Sequence, residues 1–477
     1  MENTLIGRKE EKRILQQALE SQEAEMVAVF GRRRVGKTFL IKSVYQERIV
    51  FEITGIQNAP AAEQMQNFAQ QLNKAANNTL PIQTPANWLE AFFLLTRLLE
   101  KKAEKQKQVV FFDELPWLAA QKSGFLRAFG NFWNSWAVNR NLVVVICGSA
   151  ASWMLQKVVH NTGGLYNRIT RRIHLRAFDL PETELYLRSR HIHLDRYQIV
   201  HLYMAMGGIP HYLKEIEAGQ SATQNINRIC FSQNGLLQEE FPQLYAALFV
   251  HADNHMAVIR ALASRRQGLV RQQIIDISRV PNGGGLTKVL EELVQSDFVS
   301  VLRPFGKKKN EQIYRLTDAY SLFYLQFMEN RSYEGEETWL LLSQTQTYKT
   351  WSGYAFENIC LRHIPQIKKA LGISAVYSTV SSFYRKGGTE EEGAQIDLLI
   401  DRNDHVINLC EIKFYQEPFV INKAYADRLR SRMGIFRHAI KTSKHLVWTF
   451  ITPFGLQTNA HSLGLDAPSL TLEDLFD

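Results

Sequence analysis

The sequence predicts a multidomain α/β protein in which a parallel sheet with a glycine-rich loop comes first and a smaller α/β domain comes last. Three observations lead to this fold class. The chain has 477 residues, which is more than one hydrophobic core usually supports. Residues 26–30, 109–112 and 142–147 are apolar runs of strand length separated by helical patterns, as in parallel sheets. Further strand patterns, at 395–400 and 408–413, follow a long helical region.

The composition is that of an ordinary globular protein, with 45% hydrophobic and 22% charged residues. The net charge of +9 makes DNA a possible partner without requiring it. A homo-oligomer or a protein partner is equally open. The four cysteines have no paired spacing, so neither a disulfide framework nor a zinc site is expected.

No targeting or membrane segment is expected. The charged residues 9–13 follow the first residues directly, which is unlike a signal peptide. The longest uncharged apolar run, 142–155, is too short to span a bilayer. The sequence therefore predicts a cytoplasmic protein without membrane contact.

A glycine-rich loop follows the first predicted strand and precedes a helical pattern. Its residues fit the spacing G-x-x-x-x-G-K-[ST] and are Gly31, Arg32, Arg33, Arg34, Val35, Gly36, Lys37 and Thr38. In this context the loop amides bind phosphate at a helix N-terminus, the lysine reaches the β- and γ-phosphates, and the threonine hydroxyl holds Mg²⁺. The alternative is a chance match in a basic turn. The spacing and its flanks predict binding of ATP with Mg²⁺.

Polar residues follow two further buried strands. Asp113 and Glu114 end the strand at 109–112, at the sheet edge where α/β proteins bind ligands. Asp113 is predicted to hold Mg²⁺ and Glu114 to orient or deprotonate the attacking water. Ser149 ends the next strand and is a candidate to sense the γ-phosphate or to cap a helix at 150–157. For the acidic pair, the alternative is an exposed strand end.

A basic loop over 163–175 leads into a short predicted strand. Arg168 is the candidate to neutralise charge on the phosphates in the transition state, within the chain or across a subunit interface. Arg171 and Arg172 are weaker candidates, and a solvated basic loop is the alternative.

Residues 181–245 are predicted to be helical, with a break at 206–212. Three helices at 255–264, 270–277 and 284–296 and a hairpin of 297–302 with 312–316 then fit a winged helix. Its basic tip, 306–310, would contact DNA phosphates, be solvated, or belong to a protein-binding module. The aromatic residues of 318–350 predict a packed connecting helix.

The N-terminal motifs resemble those of the AAA+/STAND-like P-loop ATPases of archaea and bacteria over residues 1–240. The resemblance rests on 5–8, the phosphate loop, 112–114, 148–149, 165–168 and 207–210. It implies that Pro210, in the turn of a helical lid, lies against the adenine, and that Gly7 and Arg8 lie near the base. Asn167 stands where many relatives have glycine.

Charged residues gather in the C-terminal strand patterns. Glu411 and Lys413 alternate around Ile412, which places both on one strand face. With Asp397 on the neighbouring strand they would form a Mg²⁺ site in which Lys413 positions or activates water. Gln395 would line it. A surface salt-bridge ladder is the alternative.

With Glu357 on a preceding helix, this set resembles the PD-(D/E)XK restriction-endonuclease-like fold over 350–450. All four expected acidic and lysine positions are present. The whole chain resembles prokaryotic ATPases that carry a nuclease-like C-terminal domain. The expected domains are an ATPase core (1–180), a helical lid (181–245), a winged helix (246–320), a helical connector (321–349) and a nuclease-like domain (350–477).

The leading hypothesis is an ATPase whose nucleotide state controls a Mg²⁺-dependent nuclease acting on DNA. The alternatives are a STAND-like switch and a DNA-binding regulator, both without cleavage. Several other residues are weak candidates for a metal, acid–base or nucleic-acid role: His191, His193, His363, Asp404, Lys423, Arg428, Arg430 and Arg432.

Overall fold

The computed structural model describes residues 4–77, 82–102, 106–120, 122–160, 163–306, 311–330, 337–385, 387 and 393–477. It divides into two compact units, Met1–Ala177 and Phe178–Asp477. Most of the basic tip, 307–310, and the aromatic residue Tyr333 lie outside the described residues. Within the described residues, no helix combines the length and apolar character needed to cross a membrane.

The first unit alternates helices and strands as predicted. Its elements are α1 (Lys9–Glu20), β1 (Glu25–Phe30), α2 (Lys37–Tyr45), β2 (Ile49–Thr54), α3 (Ala61–Ala76), α4 (Trp88–Lys101), β3 (Gln108–Asp113), α5 (Leu115–Leu118), α6 (Phe125–Ser135), β4 (Leu142–Gly148), α7 (Ala151–Met154) and β5 (Arg171–His174).

The five strands form one parallel sheet in the order β2-β3-β4-β1-β5. Strands β1, β3 and β4 are fully buried, which explains their continuous apolar sequences. Phe112 packs against Phe92 and Phe129 of two covering helices. Because β3, β4 and β1 are neighbours, their carboxyl ends bring the phosphate loop and the residues after β3 and β4 to one edge.

The second unit is mainly helical at first and ends in a mixed sheet. Its helices are α8 (Leu180–Ser189), α9 (Arg196–Met206), α10 (Pro210–Leu213), α11 (Ala222–Ile226), α12 (Glu240–Leu248), α13 (Ala252–Ala263), α14 (Arg271–Ser278), α15 (Gly284–Gln295), α16 (Ala319–Phe327), α17 (Thr338–Leu342), α18 (Gln346–Arg362), α19 (Ile364–Ala370), α20 (Lys423–Ile440), α21 (Ala460–Leu463) and α22 (Leu472–Phe476). Its strands are β6 (Val299–Leu302), β7 (Ile313–Leu316), β8 (Ser378–Arg385), β9 (Ala394–Arg402), β10 (Val406–Ile412), β11 (His445–Ile451) and β12 (Ser469–Leu470).

Strands β6 and β7 pair as the predicted antiparallel hairpin after three helices. The C-terminal strands form a second sheet in the order β12-β11-β10-β9-β8. The predicted hairpin of β9 and β10 is present and antiparallel, whereas β10 and β11 are parallel. Helix α20 covers one face of this sheet through Leu429 and Phe436.

One local prediction was wrong, and one of the alternatives left open for Ser149 is excluded. The aromatic stretch 318–350 is not one connecting helix, because Asp318 caps α16 and Thr345 caps the start of α18, with α17 between them. The helix after Ser149 is the short α7, which has Ala150 at its N-cap and continues as a π-helical turn, Leu155–Val159.

Candidate functional site

The phosphate loop joins β1 to α2, and its two glycines occupy positions that other residues fill poorly. Gly31 has φ 151°, and a Cβ there would lie 2.1 Å from the carbonyl oxygen of Leu175. Gly36 has φ 92°. Positive φ and close backbone approach both favour glycine. The glycine spacing is therefore required by the backbone path.

Lys37 and Thr38 begin α2 and point into the loop region. The Lys37 ammonium donates to the carbonyls of Gly31 and Arg32, each at 3.0 Å. The Thr38 hydroxyl donates to Asp113 Oδ2 at 2.7 Å. The structure thus brings the predicted threonine and aspartate of the Mg²⁺ site into direct contact, although they are 75 residues apart.

Glu114 and Ser149 also meet at this edge. One carboxylate oxygen of Glu114 accepts from the Ser149 amide at 3.1 Å and from its hydroxyl at 2.9 Å. Glu114 has left-handed backbone angles (φ 45°), which are costly for a residue with a Cβ and often mark functional positions. The Ser149 hydroxyl therefore holds the glutamate and does not cap α7.

Arg8 contacts the phosphate loop, a role that its sequence position does not reveal. It is 4% exposed, and its guanidinium donates to the carbonyl of Val35 at 3.3 Å. The residue sits at the N-cap of α1 with φ 55°. Arg8 thus braces the loop from outside.

The arginines of the basic loop lie in different places. Arg168 is exposed, and Asn167 before it has φ 52°, a conformation that asparagine tolerates better than most residues. Arg171 pairs at 3.2 Å with Glu25, the first residue of β1. The phosphate loop follows the last residue of that strand, about 20 Å away, so Arg171 is too far to reach the phosphates. Arg172 is exposed on β5.

Pro210 begins the short helix α10 in the second unit. The glycines before it have a packing reason, since a Cβ on Gly208 would lie 1.9 Å from the carbonyl oxygen of Phe178. The Phe178 amide also donates to Gly208 at 2.7 Å. This turn is therefore tightly packed within its own unit.

The residues at the first edge fit ATP with Mg²⁺. The donors available to the ion, a hydroxyl and a carboxylate, are the hard oxygen ligands that Mg²⁺ prefers. Lys37 lies inside the loop, and the space where a Cβ of Gly36 would lie is open. This is the arrangement that cradles a phosphate chain.

A second group of predicted residues meets in the C-terminal part of the second unit. Glu357, Asp397 and Lys413 line one cavity of about 910 Å³. Glu411 lies beside it, with its Oε1 2.8 Å from the Lys413 ammonium. Gln395 donates to Asp397 at 2.5 Å. These four charged residues, Glu357, Asp397, Glu411 and Lys413, are called the C-terminal site below.

A bulge in β9 sets the position of Asp397. Ser381 pairs with Leu399 and Phe383 with Ile396, so three steps along β9 face two along β8. The extra residue falls at Asp397 and Leu398. Bulges re-aim side chains and are frequent beside active sites. Simple alternation along the strand does not predict this displacement.

Three residues that were not predicted for this site contact its carboxylates. Arg315 of β7 pairs with Glu357 at 2.9 Å, and Arg432 of α20 pairs with Glu411 at 3.3 Å. The Tyr425 hydroxyl donates to Glu411. Arg315 and Arg432 lie far along the chain from their partners, so no local pattern could have identified them.

Burial and neighbouring charges shift the pKa values of Glu357 and Glu411 in opposite directions. Burial, and then the charge of Asp397, raise the pKa of Glu357 to about 7 against the opposing effect of Arg315. Burial also opposes ionisation of Glu411, yet Lys413, Tyr425 and Arg432 together lower its pKa. Glu357 can therefore exchange a proton near neutral pH, while Glu411 stays charged.

The side-chain oxygens of the C-terminal site can hold a hard cation only if a substrate supplies further oxygen ligands. Within the described residues, no group of three histidine, cysteine or acidic side chains is arranged to hold a metal. Mg²⁺ commonly uses one or two carboxylates plus phosphate oxygens and water. Asp397 and Glu411 match that requirement in chemistry.

The comparisons with known proteins agree with the geometry of the first site. Residues 5–216 match the model of a family described as an ATPase domain predominantly from Archaea. Residues 5–216 therefore form a P-loop ATPase domain. The matched span contains the phosphate loop together with Asp113, Glu114 and Ser149.

Similarity to individual proteins is weaker. An uncharacterized protein of Methanocaldococcus jannaschii is 22% identical over 438 residues, covering 89% of this chain and 91% of its own. A Walker-type ATPase of Pyrococcus abyssi is 19% identical with a TM-score of 0.48, covering 67% of this chain and 96% of its own. The ORC2 protein of Aeropyrum pernix is 17% identical with a TM-score of 0.41, covering 68% of this chain and 95% of its own.

The remaining candidate residues lie in the second unit and are either held by contacts within the protein or exposed to solvent. His363 is fully buried and bonds the Leu180 amide at 3.0 Å and the Ile359 carbonyl at 2.7 Å. Asp404 is paired with Arg402. His191 and His193 are exposed, and so are three basic residues of α20, Lys423, Arg428 and Arg430.

His201 predicts a pH dependence of stability. Burial lowers its pKa to about 4, below the value of about 6.5 in an unfolded chain. The contribution of neutral His201 to the free energy of unfolding is therefore present above pH 6.5 and is lost as the pH falls towards 4. The free energy of unfolding decreases between pH 7 and pH 5, and we expect this decrease to be about 2 kcal/mol smaller in His201→Gln than in the wild type. Urea denaturation measures it. His438→Gln, on the exposed side of α20, is the control. Equal pH dependence in wild type and His201→Gln would refute this.

Proposed function

We propose that nucleotide binding and hydrolysis in the first unit control a Mg²⁺-dependent, nuclease-like site in the second unit that acts on DNA. The observation that carries this proposal is the convergence of Glu357, Asp397 and Lys413 on one cavity, with Glu411 held beside it by Lys413. Acidic residues and a lysine in this arrangement are suited to phosphodiester hydrolysis.

In the ATPase site, each residue takes a role that its contacts support. Lys37 binds the β- and γ-phosphates, and Thr38 and Asp113 hold Mg²⁺. The amides of residues 31–36 bind the phosphate chain. Glu114 orients or deprotonates the attacking water, and Ser149 controls whether the glutamate is free to do so, since its hydroxyl lies 2.9 Å from that carboxylate.

Arg168 and Pro210 complete the proposed nucleotide site. Arg168 is exposed on its loop, so it is available to phosphates of this molecule or of a second copy. Pro210 would contact the adenine. We further propose the domain boundaries stated above: a helical lid, then a winged helix that contacts DNA, then the connector and the nuclease-like domain.

In the C-terminal site, Asp397 and Glu411 would hold Mg²⁺, which stabilises negative charge on a phosphate when it is bound. Lys413 lies 2.8 Å from Glu411 and would position the attacking water. Glu357, with its pKa near 7, can accept a proton from that water at neutral pH.

A second candidate is a STAND-like switch in which the C-terminal site binds a partner but does not cleave. The observation that favours it is the pairing of Glu357 with Arg315 and of Glu411 with Arg432. These cations neutralise carboxylates that a metal would otherwise use.

A cleavage screen separates the two candidates. Purified wild type and Asp397→Ala are incubated with single-stranded DNA, duplex DNA and RNA, with Mg²⁺ or Mn²⁺, and with or without ATP. We expect metal-dependent cleavage by the wild type, its loss in Asp397→Ala, and unchanged ATP hydrolysis in that variant. Absence of cleavage under every condition would reject the nuclease and leave the switch.

A further inference from the structure

Aromatic rings lie immediately beside the C-terminal site. The segment after β10 continues from Lys413 into Phe414 and Tyr415, and all three line the cavity. Phe414 stacks on Tyr197 with ring centres 5.3 Å apart and planes 7° apart. Tyr415 is 52% exposed. Two half-buried rings and one exposed ring thus line the same cavity as the lysine.

A series of side-chain contacts links the exposed ring of Tyr415 to Glu411. Tyr415 lies 5.1 Å from Phe419, and Phe419 lies 5.3 Å from Tyr425. The Tyr425 hydroxyl in turn donates to Glu411. A flat ligand stacked on Tyr415 would therefore be held in a defined position relative to Glu411.

The charges that line the cavity do not favour a polyanion strongly. The lining residues include three cations, Arg266, Lys349 and Lys413, and three carboxylates, Glu357, Asp397 and Glu417. Electrostatic attraction to a phosphate backbone is then modest, and stacking has to contribute much of the affinity. Base stacking on an aromatic side chain contributes about 1–3 kcal/mol per base.

Stacking of this kind is available only to unpaired bases, because in a duplex each base face is covered by its neighbours. Two carboxylates of the C-terminal site are also recessed, with Glu411 4% exposed and the Glu357 side chain 22% exposed. A duplex would have to be unstacked before a nucleotide entered the cavity, at a cost of a few kcal/mol.

The geometry points to single-stranded nucleic acid, including the unpaired end of a duplex, as the substrate class of the C-terminal site. Its bases stack on Tyr415 and beside the Tyr197–Phe414 pair, and its phosphates reach Lys349 and Lys413. This inference rests on the proposed nuclease-like function of the same site.

Binding and cleavage are measured separately to test it. Fluorescence anisotropy with full-length Asp397→Ala compares single-stranded DNA, single-stranded RNA and duplex DNA of about 16 nucleotides. We expect a single strand to bind about tenfold or more tighter than the duplex. Adding Tyr415→Ala should weaken single-strand binding by about 5-fold or more, whereas Tyr415→Phe keeps the ring and the affinity.

Tyr377→Ala is the matched control, because Tyr377 is 75% exposed and adjoins the end of β8 whose Ser378 pairs with Arg402, away from the bulge. It should leave binding unchanged.

The outcomes distinguish this inference from the proposed function. Equal affinity for duplex and single strand, no effect of Tyr415→Ala, or no binding of any oligonucleotide would overturn the inference. Cleavage that depends on Asp397 would still support the nuclease in the first two cases. Single-strand preference without cleavage would support the stacking site and reject the nuclease.

Discussion

Replacing Glu114 by glutamine is expected to lower kcat for ATP hydrolysis by about 10²–10⁴-fold while ATP affinity changes little. Glu114 directly follows Asp113, whose carboxylate accepts the hydrogen bond of Thr38. An amide in place of the Glu114 carboxylate cannot accept the proton of the attacking water. The proposed contacts of ATP with Pro210 and with the phosphate loop do not involve Glu114. Steady-state hydrolysis and binding of a fluorescent ATP analogue measure the two quantities.

The matched control for this variant is Glu52→Gln. Glu52 also lies on a strand of the same sheet, but its side chain is 37% exposed and paired with Lys42. Hydrolysis by Glu52→Gln should equal that of the wild type. If Glu114→Gln retained full kcat, a different residue would have to activate the water, and the role assigned to Glu114 would be wrong.

Replacing Arg315 by methionine is expected to lower the free energy of unfolding by about 3–5 kcal/mol at pH 8. Arg315 is 3% exposed, lies 4.7 Å from the Tyr354 ring centre and pairs with Glu357. Its removal leaves a buried carboxylate without its cation. Burial already raises the pKa of Glu357 to about 7, so at pH 5 the carboxyl is neutral and the loss should be smaller.

The double variant Arg315→Met with Glu357→Gln completes this test, because it removes the unpaired charge and should recover much of the stability. Arg430→Met breaks an exposed pair with Asp427, both side chains being more than half exposed, and should cost less than about 1 kcal/mol. A loss in Arg315→Met that is equal at pH 5 and pH 8 would show that packing, and not charge, accounts for it.

The nucleotide site was predictable because its information is local. Glycine spacing, a lysine and a threonine occupy eight consecutive positions, 31–38, and the buried strands before Asp113 and Ser149 fix the sheet edge to which they belong. Parallel strands then bring these ends together without further specification. What the sequence did not reveal is the contact of Arg8 with Val35, because it depends on how α1 packs.

The C-terminal site was predicted in its residues but not in its geometry. Alternation placed Glu411 and Lys413 on one face, and their 2.8 Å contact agrees. The bulge at Asp397 arises from the pairing of β9 with β8, and no residue type announces it. Arg315 and Arg432 come from elements distant in sequence, so only the tertiary packing shows that they neutralise the carboxylates.

Local capping explains where the predicted helices failed. The aromatic residues of 318–350 predicted one connecting helix, but Asp318 and Thr345 each accept a backbone hydrogen bond at the start of a new helix. Ser149 had the opposite outcome, since its hydroxyl found the Glu114 carboxylate in place of α7. A side chain with two available partners cannot be assigned from the sequence alone.

Control of the C-terminal site by nucleotide is tested most directly by the rate of oligonucleotide cleavage with and without ATP, in wild type and in Lys37→Ala. Lys37 bonds the loop carbonyls that surround the phosphate position, and its removal should abolish control by ATP. We expect ATP to change the wild-type cleavage rate by about tenfold or more, the usual scale of allosteric coupling, and to leave that of Lys37→Ala unchanged. Lys42→Ala, on the same helix but 49% exposed, should respond like the wild type. Identical cleavage rates with and without ATP in the wild type would show that nucleotide does not control the C-terminal site.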